Sequence, residues 1–227
     1  MTSTPPGPVH IVGAGPGVGA SVARRFARAG HPVGLVARDP VRLAGLTLDL
    51  IAEGIPTESY PADASDPADL ARALAMLAER QGPAEVLCFS PLPDVGLIKP
   101  VLETGAAELE RALALNVVGA AAAVQAVLPA MREAGRGTLL FVTGGAVAHP
   151  NPERAASTVV GSAQQAYAAL LARALDGTPL HVAHLVVVGA VGEGRTHEPD
   201  TVADRLWELH RAATETYAVL EQPLPER

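Results

Sequence analysis

Gly13, Gly15, Gly17 and Gly19 fall within residues 9–19, VHIVGAGPGVG, between an apolar run and a helical pattern. Glycines so placed allow a tight turn off a strand and a close approach of backbone to a pyrophosphate. They also let the following helix pack near the sheet. The helix N-terminus then offers free N–H groups and a partial positive charge to the anion. Gly13, Gly15, Pro16, Gly17, Val18 and Gly19 are therefore expected to hold a dinucleotide. The alternative is a relic turn that binds nothing. The second apolar run ends at Ala37, where an acid would accept the ribose hydroxyls of NAD. Arg38 comes next instead, a cation suited to the 2′-phosphate of NADP. Asp39 is either a competing acid or the N-cap of a helix beginning at Pro40. NADP(H) is favoured over NAD(H).

Candidate proton-handling groups lie in the other half. Thr143 ends the fifth apolar run, where a hydroxyl either meets substrate or bonds locally to backbone. His149, in GGAVAHPNP, is expected on the substrate side as an acid or base, or simply in solvent. Asp94 and Lys99 read as surface charges of a proline-stiffened loop. His181 and His184 read as packed or interface histidines. Trp207 and His210, three apart on a helix, read as cover for the bottom of the sheet. No group of His, Cys or carboxylates has metal-ligand spacing, so no metal site is expected.

Alternating apolar runs and helical patterns must position these residues, the signature of repeated βαβ units. Strands are expected at Val9–Val12, Val33–Ala37, Pro56–Tyr60, Val86–Phe89, Thr138–Val142 and His181–Val188, with Thr216–Val219 as an edge strand. Helices are expected at Ala20–Ala29, Pro40–Ala52, Asp66–Gln81, Ala106–Gly135 (interrupted at Pro129), Ala156–Leu175 and Pro199–Ala212. The reading is a single α/β domain over residues 9–227, a doubly wound parallel sheet with helices on both faces.

The bulk composition agrees. A chain of 227 residues with 48% hydrophobic but only 3% aromatic content suits one core of Ala, Val and Leu. A net charge of −7 opposes nucleic acid and anionic membrane as partners. Cys88, the one cysteine, permits no internal disulfide and fits a cytoplasmic setting. Residues 1–8 read as a short disordered leader without the features of a signal peptide. No apolar run reaches the ~20 residues a membrane helix needs.

The spacing of Gly13, Gly17 and Gly19 resembles the short-chain dehydrogenase/reductase superfamily, as do Asp63 in PADASDP, Asn116 in LALNVVGA and the strands 137–142 and 182–189. The resemblance spans about residues 9–190 and implies a Rossmann-type fold of about seven strands. It implies adenine binding at Asp63 and Ala64, cofactor contacts at Ser90, Pro91 and Asn116, and a homodimer or homotetramer through the small-residue helices 119–127 and 163–174. The chain departs from the family where the chemistry sits. Phe89-Ser90-Pro91 replaces Asn-Ala-Gly, and the catalytic Ser falls on or near Gly144. Tyr-x-x-x-Lys falls on Ser157 and Gly161, and the lid after Val188-Gly189 is cut to about ten residues. Lys99 is the one lysine, and none of Tyr60, Tyr167 and Tyr217 has a lysine four residues on.

Without a Tyr–Lys pair, general acid catalysis of ~10²- to 10⁴-fold is forfeited. Without the Ser, an oxyanion donor worth about 3 kcal/mol is lost. A short lid leaves water in the pocket. Thr143, His149 and Ser157 are the candidate replacements, and the small-molecule substrate is unspecified. Three readings stay open: an atypical NADP-dependent oxidoreductase, a non-redox isomerase, cyclase or dehydratase, and an inactive cofactor-binding or partner subunit.

Overall fold

The computed structural model describes residues 5–222. Its centre is a seven-stranded sheet in the order β3-β2-β1-β4-β5-β6-β7. The strands are β1 Val9–Val12, β2 Val33–Ala37, β3 Thr57–Pro61, β4 Val86–Phe89, β5 Gly137–Gly144, β6 Leu180–Val188 and β7 Tyr217–Glu221. Every pair is parallel, including the edge pair β6–β7. The helices are α1 Val18–Ala27, α2 Pro40–Ala52, α3 Pro67–Gln81, α4 Ala106–Leu113, α5 Gly119–Ala134, α6 Ala155–Ala174 and α7 Pro199–Ala212.

Both faces of the sheet are covered, which is why strands such as VHIV and VLCF are buried at every position. Phe26, Leu43, Leu50 and Leu206 of α1, α2 and α7 pack on one face against Leu35, Leu140 and Leu185. Leu70, Leu77, Val124 and Met131 of α3 and α5, with Ala168 of α6, pack on the other against Phe89, Leu139 and Phe141. Helix starts follow local rules. Asp39 accepts from the Val41 and Arg42 amides at 3.0 and 3.1 Å, and Asp66 caps α3 in the same way. Asp39 is thus an N-cap.

Three sequence expectations are corrected. The long helix is not interrupted at Pro129, which lies inside α5. The irregularity is a π-helical turn at Ala114–Val118, where one widened turn joins α4 to α5. Ala106–Ala134 is also long and apolar enough, at mean hydropathy 1.8, to cross a bilayer by length and composition, although no such run was expected. Here it is a core helix lying over α3 and the sheet. Finally, part of the expected leader is ordered. The Gly7 amide donates to Glu85 Oε2 at 2.7 Å, and Pro8 O accepts from the Glu85 and Val86 amides. Residues 1–4 lie outside the described part.

Candidate functional site

The strand order reverses between β1 and β4, and ligands bind at the carboxyl ends of such a switch point. Gly13 stands there with φ +90°. A Cβ on it would lie 2.4 Å from Pro91 Cα, so only glycine lets β1 turn away so close to the Ser90-Pro91 step. Around Gly15 and Gly17, by contrast, a Cβ would meet nothing within 4 Å. That is open space beside backbone, as a phosphate requires. Helix α1 then begins with no side-chain cap and no acid in its first turn. Its leading amides are left for an anion. The residues present fit a dinucleotide.

Ala37 ends β2, and Arg38 follows it exposed. Asp63 Oδ1 accepts from Ser65 N at 2.9 Å and Ser65 Oγ at 2.7 Å. Burial would raise the Asp63 pKa. The Ser65 hydrogen bonds and the charge of Arg38 outweigh it and hold the carboxyl below its ordinary value. Asp63 is therefore an anion with an acceptor to offer, and Arg38 lies close enough to be felt by it. Ala64 packs tightly against α5, since a Cβ on Gly119 would stand 2.1 Å from its carbonyl oxygen.

A cleft of ≈ 200 Å³ opens beside the switch point, from Arg38 and Ser65 across Asp94, Leu115 and Asn116 to Ser157 and Val160. Asn116 sits in the π turn and donates Nδ2–H to Ala112 O at 3.0 Å. Of the three candidate proton-handling residues, only Ser157 lines this cleft. His149 is turned away, with Nε2 3.0 Å from Glu221 Oε1 on β7 and most of the side chain in solvent. The carboxylate on the edge strand draws the ring outward. Lys99 pairs with Glu108 at 3.2 Å. The lid residues 189–198 fold on themselves through a Val191–His197 bridge and His197 Nε2 on Val188 O at 2.9 Å.

Thr143 has a partner the sequence did not signal. Its Oγ1 lies 2.8 Å from Nε2 of His184, forty-one positions on and on the neighbouring strand. Burial depresses the His184 pKa to about 4, so the ring is neutral near pH 7. Its Nδ1 is buried without a hydrogen-bond partner. A bare lone pair there is tolerated better than an orphaned N–H, which assigns the proton to Nε2. His184 then donates to Thr143, and the threonine O–H is aimed elsewhere.

A side chain at position 161 would meet Val147. A Cβ on Gly161 would lie 2.5 Å from Val147 Cγ2, so Val147 fills the space that a side chain would cross. Gly→Ala within a helix ordinarily stabilises by roughly 0.5–1 kcal/mol. Gly161→Ala is expected to destabilise by about 1–2 kcal/mol instead, and Val147→Ala in the same chain to recover most of that. Urea unfolding of the two single variants and the double variant measures the coupling. A neutral or stabilising Gly161→Ala alone contradicts the packing argument. Gly144 differs, because a Cβ there meets nothing within 4 Å.

Sheet order and glycine turn together define a dinucleotide-binding α/β protein of Rossmann type. The sequence profile of short chain dehydrogenases matches residues 8–188, and the chain belongs to that family. An uncharacterised oxidoreductase of Mycobacterium tuberculosis is 33% identical, over 89% of this chain and 82% of its own length. The chain spans little more than half the length of other curated relatives it matches (55% and 57%). Among solved structures, L-sorbose reductase of Gluconobacter frateurii in complex with NADPH and L-sorbose superposes with a TM-score of 0.87. The sequence identity is 18%, with 97% of each chain covered. An NADPH-bound short chain oxidoreductase of Pseudomonas aeruginosa, described as containing an atypical catalytic center, superposes at 0.85. It is 17% identical, with 95% of this chain and 97% of that one covered.

Proposed function

We propose that this chain binds NADP(H) in preference to NAD(H) and acts as an atypical oxidoreductase on a small carbonyl or alcohol. The observation that carries the cofactor preference is the division of labour after β2. Asp39 is spent on the α2 cap, which leaves Arg38 as the free charge beside Ser65 and Asp63. Gly13–Gly19 and the α1 N-terminus would hold the pyrophosphate, Arg38 the 2′-phosphate, and Asp63 and Ala64 the adenine edge. Ser90, Pro91 and Asn116 would lie toward the nicotinamide side. When bound, the cofactor supplies or accepts hydride. Ser157, the one candidate hydroxyl that lines the cleft, would polarise the substrate oxygen, while Thr143 Oγ1, held by His184 Nε2–H, stands outside that lining. Solvent completes the proton balance, since the short lid leaves the cleft open.

Calorimetric titration with NADPH and NADH, repeated on Arg38→Ala, tests the reading. NADPH is expected to bind at micromolar affinity and to weaken tenfold or more in the variant, with NADH unchanged, as for one lost charge-assisted hydrogen bond. Equal affinity for both cofactors in both proteins overturns the NADP preference. No binding of either overturns the oxidoreductase and favours the inactive partner subunit. Exposed Val118, Val159 and Leu170 on the helical layer of α4 to α6 support a homo-oligomer, which sedimentation would read directly.

A further inference from the structure

At the opposite, amino-terminal edge of the sheet, the fold gathers three side chains with no role in the cofactor cleft. His31 lies in the turn between α1 and β2, Glu85 just before β4, and His210 in the last turn of α7. One nitrogen from each ring and a Glu85 carboxylate oxygen all lie within 4.8 Å of one another. We propose that His31, Glu85 and His210 form a binding site for a divalent cation of borderline softness, Zn²⁺ above all.

Two independent observations support a ligand there beyond mere proximity. The first is the hydrogen bonding of the rings. His31 Nδ1 lies 2.7 Å from Gly7 O. A backbone carbonyl can only accept, so Nδ1 carries the proton and Nε2 keeps its lone pair. His210 Nδ1 lies 2.9 Å from Thr138 Oγ1, which holds the second ring by the same nitrogen. Among the described residues no hydrogen bond engages Nε2 of either ring. Metal-binding histidines are held in this way, one nitrogen fixed on an outer oxygen and the other left for the ion. His31 is also only 4% exposed, so its ring is held within the fold.

The second observation is the shell around the rings. Phe26 packs on His31 and His210 at 5.5 and 5.4 Å between ring centroids, and Trp207 on His210 at 5.3 Å. An apolar wall of this kind fixes ring orientation and strengthens metal–ligand bonds. Two neutral imidazoles and one carboxylate, with water in the fourth position, are a donor set that zinc accepts. Bonds of ~2.0–2.1 Å in a tetrahedron need donor atoms roughly 3.3 Å apart, so rotamer adjustments must draw the three inward. Glu85 Oε2 is already engaged by the Gly7 amide at 2.7 Å and by Arg136 Nε at 3.4 Å, so Oε1 is the oxygen free to bind. Arg136 is the cation that must be tolerated or swung outward. His181 is the further imidazole on this edge, with Nε2 buried and unpartnered. Because its ligands come from three distant stretches, the ion would tie α7 and the Gly7 segment to the sheet, far from the reaction.

The test uses the full chain, free of any affinity tag and stripped with a chelator. Zn²⁺ is expected to bind once per chain and to raise Tm by about 5–10 °C at hundredfold excess over its dissociation constant. Co²⁺ in the same protein should give the absorption of a tetrahedral nitrogen–oxygen site. Glu85→Gln and His210→Gln should abolish the Co²⁺ spectrum and the Tm rise, while His149→Ala, an exposed histidine elsewhere, leaves both intact. Absence of stoichiometric Co²⁺ or Zn²⁺ binding to the unsubstituted chain overturns the proposal, whatever the variants do. So does binding that survives Glu85→Gln and His210→Gln.

Discussion

Gly119→Ala is expected to cost about 3 kcal/mol or more and to weaken NADPH binding at the same time. The new methyl would stand 2.1 Å from the carbonyl oxygen of Ala64, more than an ångström inside contact, and the obstacle is backbone. No rotamer can relieve it. Either α5 lifts from the sheet, losing the packing of Ala120, Ala123 and Val124, or the loop carrying Asp63 and Ala64 moves outward. The first route lowers stability and the second displaces the adenine side. For a chain of this size about 3 kcal/mol is a Tm loss of roughly 6–12 °C. Thermal melts with calorimetric NADPH titration read both effects. A variant within about 2 °C of the parent, binding NADPH normally, sinks the argument.

Acid is expected to unfold this protein well before its carboxylates are protonated. His10 and His184 are buried within the sheet layers, and burial lowers each pKa from 6.5 to about 4. The unfolded chain takes up protons below pH 6.5 and the folded chain does not. Stability is therefore whole above pH 6.5 and is lost progressively as pH falls toward 4. At pH 5 each residue forfeits about 2 kcal/mol, or about 4 kcal/mol together. Glu53, Glu108 and Asp63, whose pKa values are lowered, begin to lose their contributions only at the acid end of that window and below it. Denaturant midpoints measured from pH 8 to pH 4.5 should fall steeply below 6.5. His210, likewise lowered to about 4 chiefly by burial, adds a third contribution of that kind, so His10→Leu should remove about a third of that slope or less. It should also stabilise at pH 7, because both ring nitrogens of His10 lack partners. A flat profile would show that these rings reach water.

The fold was legible wherever one local rule decided the outcome. β1, β2, β4, α2 and α7 have the bounds that apolar runs and helix signals indicated. Asp39 and Asp66 cap their helices as Asp-Pro steps suggest. The π turn was not legible, because one inserted residue in a 3.6-residue period leaves no mark in an Ala-rich segment. Pro129 misled for the converse reason: it carries a helix-breaking signal that tertiary packing on the sheet overrides. The glycine turn could be read because its chemistry is continuous in sequence. Thr143 with His184, and His31 with Glu85 and His210, could not, since only strand register and the return of α7 bring them together. For His149 the sequence left two outcomes open, substrate side or solvent, and the structure has it largely in solvent with Nε2 3.0 Å from Glu221 Oε1 of the edge strand.

The contact between Val147 and the bare face of Gly161 also couples what the two positions can accept. While valine stays at 147, any side chain introduced at 161 is penalised. While glycine stays at 161, trimming valine only opens a void. Each position thus makes a change at the other deleterious, a case of reciprocal epistasis. A side chain at 161 is therefore accessible only together with a smaller residue at 147, and neither change is favoured alone.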